Sequence, residues 1–231
     1  MRRPAPFLLI AAVFVCCSIA VASRAHADRL ELGIGSTSRI THADSVLALH
    51  DSRSTGFSMD AAFRWASIAG FDLLADASFD TDTAWATTFQ RMHTASTTQV
   101  LLLGLRVRRP LPYAASAHAR LALGATRLGV EIDDLDGRSQ VADHGNGTSA
   151  YLGAGIDCVP LRPRMANGHE MFSLGVRVEL GYLAMTAVGF SAESPDPGTP
   201  EGTIEIPARA AALGHLDMSA LTLRLALIAR F

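Results

Sequence analysis

The sequence contains no lysine, so arginine supplies every strongly basic side chain. Lysine is among the commonest residues of water-soluble domains, and its absence counts against a polar face bathed in water. Cysteine is scarce too. Cys16 and Cys17 fall within an N-terminal apolar run, which leaves Cys158 alone in the rest of the chain. A lone cysteine closes no internal disulfide, and that excludes a small secreted domain stapled by bridges. The formal net charge of −2 offers no electrostatic footprint for nucleic acid. Beyond the N-terminus no apolar run approaches the ~20 residues of a membrane-spanning helix. No linker, repeat or change of composition marks a second domain. Yet 49% of the residues are hydrophobic and only 18% charged, so the apolar content is spread along the chain rather than gathered.

The N-terminus reads as an export signal. Arg2 and Arg3 precede an apolar run from about Phe7 to Val21, and Ala25-His26-Ala27 follows before Asp28. A basic start, a short apolar core and an A-x-A site are the marks of a secretory signal peptide. The expected division is signal peptide 1–27 and mature domain 28–231. Cleavage after Ala22 is a competing site.

From there the apolar residues alternate. Eight segments place side chains of one kind on one face and the other kind opposite, the period of a β-strand. The first, near Leu30 to Ser36, sets Leu30, Leu32 and Ile34 on one face. The second, Gly56 to Ala66, opposes Phe57, Met59, Ala61, Phe63 and Trp65 to Ser58, Asp60, Ala62 and Arg64. Gly70 to Asp80 sets Phe71, Leu73, Ala75, Ala77 and Phe79 against Asp72, Asp76 and Ser78. Leu101, Leu103, Leu105 and Val107 oppose Gly104, Arg106 and Arg108. In the fifth segment Ala119, Leu121, Leu123 and Ala125 oppose His118, Arg120, Ala122 and Gly124. The sixth carries Leu152, Ala154, Ile156 and Cys158 against Tyr151, Gly153, Gly155 and Asp157. The seventh runs from Phe172 to Tyr182, with Arg177 and Glu179 on its polar side. The eighth is "LTLRLALIARF", Leu221 to Phe231. Each spans about 9–12 residues, the length of a tilted strand that crosses a bilayer.

Connections alternate between long and short, as an up-and-down arrangement requires. Polar stretches after the first segment, from Thr81 to Thr98, in "LDGRSQVADHGNG" and from Ala187 to Leu216 read as long loops. Ser67 to Ala69, "RPLPYA" and "PLRPRMANGHE" read as the shorter turns.

Two packings fit such alternation, and they differ in which face meets water. In a soluble barrel the aliphatic face points inward; in an outer-membrane barrel it meets lipid and the charges face the lumen. Glycines crowd the polar parity, at Gly33, Gly35, Gly104, Gly124, Gly153, Gly155, Gly175 and Gly181, which suits a filled interior. Aromatics gather at strand ends. Trp65, Phe71, Phe172 and Phe231 fall at the short-turn end, and Phe57, Phe79 and Tyr182 at the other. These are the two girdles expected at two membrane interfaces. With lysine absent, the expectation is an all-β, eight-stranded antiparallel transmembrane barrel.

On this pattern, over nearly the whole mature chain, the sequence resembles the small eight-stranded outer-membrane β-barrels of Gram-negative bacteria. The resemblance implies the outer membrane as location and outer-membrane lipid as surroundings. It also implies recognition of the last strand by the barrel-assembly machinery, through a C-terminal aromatic and apolar residues at every second position. Leu223, Leu225, Leu227 and Phe231 fit that signal; Ala229 stands where an aromatic is often found.

The inward parity collects Arg64, Arg106, Arg120, Arg177 and Arg224 together with Glu31, Asp60, Asp72, Asp76, Asp157 and Glu179. Unpaired charge in a dry interior is costly, so near-balance of the signs implies salt bridges across the lumen. The glycines on that parity are expected to make room for arginine stems. A lumen filled in this way leaves function to the loops, structural or interactive. Two alternatives stay open: an enzyme acting on outer-membrane lipid, as some barrels of this size do, and lateral passage of small apolar molecules. For the enzyme reading His93 with Ser96 and Ser116 with His118 are the close Ser–His pairs. The second pair faces inward, and no third group is identifiable to orient its base. His42, His50, His93, His144 and His215 fall in the long stretches without zinc-site spacing. "DDLDG" lacks the alternating ligands of a calcium loop. The expectation is therefore no catalytic site, no metal and no cofactor.

Overall fold

Every alternating segment forms a strand, and the strands run further than the alternation does. The computed structural model describes residues 29–41, 52–88, 92–134, 139–161, 172–189 and 215–231. The signal peptide, its two cleavage sites and the start of the mature domain lie outside these residues. In chain order the strands are β1 (Leu30–Thr41), β2 (Arg53–Ile68), β3 (Phe71–Thr88), β4 (Met92–Pro110) and β5 (Ala115–Asp134). Then come β6 (Ser139–Leu161), β7 (Ser173–Met185), the two-residue β8 (Val188–Gly189) and β9 (His215–Leu216), and β10 (Ala220–Arg230).

Eight of them close a barrel in the order β1-β10-β7-β6-β5-β4-β3-β2, every neighbouring pair antiparallel. The seam runs from Glu31 opposite Arg230 to Thr41 opposite Ala220. One step further, the Phe231 N–H donates to the Leu30 carbonyl at 2.8 Å and the Leu30 N–H to the Phe231 carbonyl at 3.2 Å. Closure leaves neither terminal strand with an unpaired edge, which a lipid environment could not satisfy.

Turns at one end are tight. Ala69 and Gly70 join β2 to β3 with φ of 51° and 80°, the paired positive values of a two-residue hairpin whose twist matches the strands. Leu111–Ala114 joins β4 to β5, with Tyr113 and Ala114 both left-handed and the Leu111 N–H closing on the Ala115 carbonyl at 2.9 Å. Trp65 sits at a register shift in β2, and Pro160 lies within another in β6, where its missing N–H leaves no gap in a ladder.

The other end corrects the expected loops. Thr81 to Thr98 is almost wholly strand: β3 and β4 stay paired up to Thr88 opposite Met92. "VADHGNG" likewise lies inside β6, paired with β5. β3 to β6 therefore run 18 to 23 residues, not 9–12. Their upper parts carry Thr81, Thr83, Thr97, Gln99, Arg127, Asn146 and Thr148 outward, so the apolar/polar contrast fades although pairing continues.

Outward positions of the lower band are apolar and exposed: Leu103 57%, Leu123 65%, Leu152 64% and Leu227 65%. Inward positions hold the charges, with Arg106, Arg120, Asp157 and Glu179 all 1% exposed or less. A soluble protein reverses that distribution, so the outer surface is the one that meets lipid.

One expectation about the interior needs correction. The lumen is not polar throughout. On the β4–β7 side, above the charges, Val100, Leu102, Leu128, Val130, Leu183 and Met185 form an inward apolar cluster. Val188 and Leu216 from the β8–β9 pair, with Met218, pack onto it from the mouth. The Met185 N–H donates to Ser219 Oγ at 3.0 Å and fastens the ends of that connection together.

Candidate functional site

Inward residues of all eight barrel strands meet in one ionic network along the lumen. At the short-turn end Glu31 of β1 accepts from Arg106 Nη1 at 2.6 Å, Arg108 Nη1 at 2.9 Å and Arg230 Nε at 2.7 Å, and from Arg177. Arg108 also grips Asp72 through Nε and Nη2, and Ser67 Oγ donates to the same carboxylate at 2.6 Å. Arg64 lies 3.7 Å from Asp72 at the more open rim.

One level up, Arg177 donates from Nη1 to Asp60 at 2.9 Å and from Nε to Asp157 at 2.8 Å. Arg230 Nη2 reaches Asp157 as well, at 2.6 Å. Asp76 accepts from Arg106 Nη2 at 2.7 Å and Arg120 Nε at 2.8 Å. Glu179 then carries the chain upward, through His118 Nε2 and the Tyr151 hydroxyl, each at 2.9 Å, and Arg224 Nη1 at 3.2 Å. Arg224 passes it to Asp80, Arg39 joins Asp80 to Asp82, and Ser54 Oγ ends it on Asp82 at 2.5 Å.

Eight arginines (Arg39, Arg64, Arg106, Arg108, Arg120, Arg177, Arg224, Arg230) thus face eight carboxylates (Glu31, Asp60, Asp72, Asp76, Asp80, Asp82, Asp157, Glu179). The signs cancel. Guanidinium groups suit such a site because their fixed fork spans two carboxylates at once, which an ammonium cannot do. The absence of lysine has its structural counterpart here.

Tyr151 is the one large aromatic within the described lumen. Arg224 lies 4.5 Å from its ring centroid and Arg120 5.3 Å, so its two cationic neighbours hold it by cation–π attraction. Gly153 and Gly181 leave the space: a Cβ on either would run into the ring. At Gly33 it would meet Asp60, and at Gly155 His118. These four glycines therefore clear space for an aromatic, a carboxylate and an imidazole rather than for arginine stems, while at Gly35, Gly104, Gly124 and Gly175 a Cβ would first meet backbone of the neighbouring strand. A void of about 10 Å³ remains among Asp60, Asp80, Arg106, Arg177 and Arg224, room for at most a single water.

Sequence reading missed Arg39, Asp80, Asp82, Arg108, Arg230 and His118 as members. The parity signal for Asp80 and Asp82 was present, since they continue the Asp72, Asp76 series on β3. Arg39 was lost because β1 appeared to end at Ser36. His118 was set aside for want of a partner, yet Nδ1 lies 3.3 Å from Asp157 and Nε2 2.9 Å from Glu179. Ser116 Oγ donates to Asp157 at 3.4 Å rather than to the imidazole. A serine nucleophile needs its hydroxyl on a ring nitrogen; here the Ser116 hydroxyl turns to Asp157, and Nδ1, which makes no hydrogen bond, faces the same carboxylate.

The remaining candidates scatter. His144 is exposed on the outer face of β6, and His93 and His215 fall in β4 and β9. His42, His50 and most of "DDLDG" lie outside the described residues. Ser96 is buried inward on β4. Cys158 is exposed on the outer face of β6. Leu223, Leu225, Leu227 and Phe231 share the outward face of the last strand, and the Phe231 ring stands 6.3 Å from that of Phe172.

An apolar outer wall around a cross-linked interior makes a checkable expectation. The protein is extracted only with detergent, and boiled and unboiled samples migrate differently on a gel because the closed barrel resists unfolding. Recovery from the soluble periplasmic fraction would contradict the placement.

No protein-family model matches the chain, and a search of curated proteins finds no match. Among solved structures, Ail, the attachment invasion locus protein of Yersinia pestis, aligns with 89% of this chain and all of its own, at 13% identity and a TM-score of 0.48. A second Ail structure, in complex with the heparin analogue sucrose octasulfate, gives 14% identity, 90% and 100% coverage and a TM-score of 0.47. Neisserial surface protein A gives 10% identity, covering 89% of this chain and 98% of its own, with a TM-score of 0.44. Closed antiparallel topology, an aliphatic exterior and a charge-filled interior agree on one architecture: the chain is a closed eight-stranded antiparallel β-barrel whose outer wall suits a bilayer.

Proposed function

We propose that this protein is a closed barrel that acts by interaction at the cell surface and conducts no solute. One observation carries the reading: among the described residues the lumen is filled by salt bridges from Asp72 to Asp82 and by the apolar cluster under β8 and β9. An eight-stranded barrel is only wide enough for its side chains to fill. On this reading the features free to act are outside, on the extensions of β3 to β6 and the connections they carry. Those extensions stand on a wall tied across its axis, which suits a rigid mount for a binding surface. No chemistry is assigned to Ser116 and His118, whose side chains face the carboxylates of Asp157 and Glu179.

Purified protein in a planar bilayer tests this. The expected trace is flat, without reproducible single-channel steps, and it stays flat for Arg224→Met although that variant unfolds more easily. Steady unitary conductance in the unmodified protein would move the function from the exterior into the lumen.

A further inference from the structure

Trp85 stands on the outward face of β3, 65% exposed, above the apolar band. Below it on the same face the band ends at Phe79, followed by Thr81 and Thr83. Phe71 and Phe79 lie eight residues apart, about 20 Å along the membrane normal for a strand rising ~3.3 Å per residue at ~40° tilt. They mark the two interfaces. Trp85 lies six residues beyond Phe79, hence about 15 Å higher on the same scale. The interfacial zone of one leaflet is only about 5–7 Å deep. Trp85 is therefore too high to belong to the aromatic girdle.

Its neighbours fit a different contact. In register with Trp85 are Ala95 on β4 and then Glu131 on β5; one row below run Thr83, Thr97, Gly129 and His144. Among the described neighbours on β4 the side chains are small, and on β2 the exposed Arg53 lies two residues beyond Thr55, which pairs with Thr83, so one broad aromatic surface stands beside hydroxyls, a guanidinium, a carboxylate and an imidazole. Lower still, Gln99 pairs with Arg127, nearer the level of lipid phosphates. A protein partner would want apolar companions around the tryptophan. This patch has almost none.

We infer that the outer face of the β3–β5 extension, centred on Trp85, binds the saccharide of outer-leaflet lipopolysaccharide. The assignment rests on continuity: the patch is the upward prolongation of the lipid-facing wall, on the same strands and the same face. In the plane of the membrane its neighbour at that height is the sugar layer. A pyranose ring offers a C–H face to an indole and equatorial hydroxyls to threonine, glutamate and histidine. Arg127 meets the phosphate groups beneath. The site lies on strands and faces sideways, so it stands independently of whatever the connections at the top recognise and of whether the lumen conducts.

The chain has two tryptophans, which makes the test direct. Trp65→Phe leaves Trp85 as the sole indole; Trp85→Phe leaves Trp65 and supplies the background. Each is reconstituted into bilayers containing rough lipopolysaccharide or, separately, phosphatidylglycerol, and quenched with acrylamide. The expected result is loss of Trp85 quenching with lipopolysaccharide alone, also produced by delipidated core oligosaccharide added to the phosphatidylglycerol sample. Trp85→Ala should weaken retention of lipopolysaccharide by about tenfold, the scale of truncating a central aromatic contact. Equal protection in phosphatidylglycerol would place the indole among headgroups and overturn the assignment. Protection that rises with protein density in phosphatidylglycerol would assign the face to a second copy, and no protection in any sample would leave it without a ligand.

Discussion

Arg177→Met is expected to lower the folding free energy in lipid by about 3–5 kcal/mol, the usual cost of removing one partner from a buried ion cluster. Arg177 is 2% exposed and contacts Glu31, Asp60 and Asp157, carboxylates from three strands. Methionine fills much of the same volume but donates nothing. Asp60 then retains only Arg106 at 3.3 Å, while Asp157 keeps Arg230, Ser116 and the nearby His118. Glu31 loses least, since Arg106, Arg108 and Arg230 still converge on it. The cost should therefore arise mainly at Asp60 and Asp157. Combining Arg177→Met with Asp157→Asn removes one of the stranded charges, so the pair should cost about 1–3 kcal/mol less than the sum of the two singles. Denaturant titration of the protein folded into vesicles gives both quantities. A single-variant cost below about 1 kcal/mol, in the range of an exposed ion pair, would mean that the lumen is wet and the network weak.

Leu225→Arg carries the second large effect, expected at about 2–4 kcal/mol for an arginine near the bilayer midplane. Leu225 lies midway along β10, outward, 46% exposed, opposite Val178 on one neighbour and Ser36 on the other. Leu223→Arg should behave similarly. Thr222 on the same strand gives the contrast, since it is fully buried and its hydroxyl finds no partner. Thr222→Val deletes an unpaired polar atom with little change of shape, and its effect should stay within about 1 kcal/mol. Folding into vesicles of unsaturated phosphatidylcholine measures all three. Should Leu225→Arg prove harmless there, the outer wall meets water and the barrel is a soluble one turned the other way.

Both predictions rest on parity, and parity is what the sequence carries best. Leu221 to Phe231 alternates without a break, and that alternation survives as exposed leucines on one face and Thr222, Arg224 and Arg230 on the other. The same holds for β7, where Val176 and Val178 flank Arg177. Strand length was less legible. From Thr81 upward the outward residues of β3 are Thr81, Thr83 and the isolated Trp85, and on β4 to β6 they include Gln99, Thr97, Arg127, Asn146 and Thr148. Above the lipid the outward face turns polar, so backbone pairing persists after the apolar/polar alternation of the lower band has been lost. Without that alternation a paired strand has the same local sequence pattern as a polar loop.

What the sequence determined by itself is which side chains point inward, because a strand's two-residue period is local and needs no partner. It could not determine which of them touch. Glu31 and Arg108 are 77 positions apart, and Glu31 and Arg230 are 199 apart. Their meeting depends on how far each strand is staggered against the next around the closed wall. The same staggering sets Tyr151 between Arg120 and Arg224 and brings Val188 and Leu216 down onto Leu183. The tertiary structure alone decided these contacts, since side chains that cross a lumen answer to barrel diameter and strand offset, and neither quantity is written in any single strand.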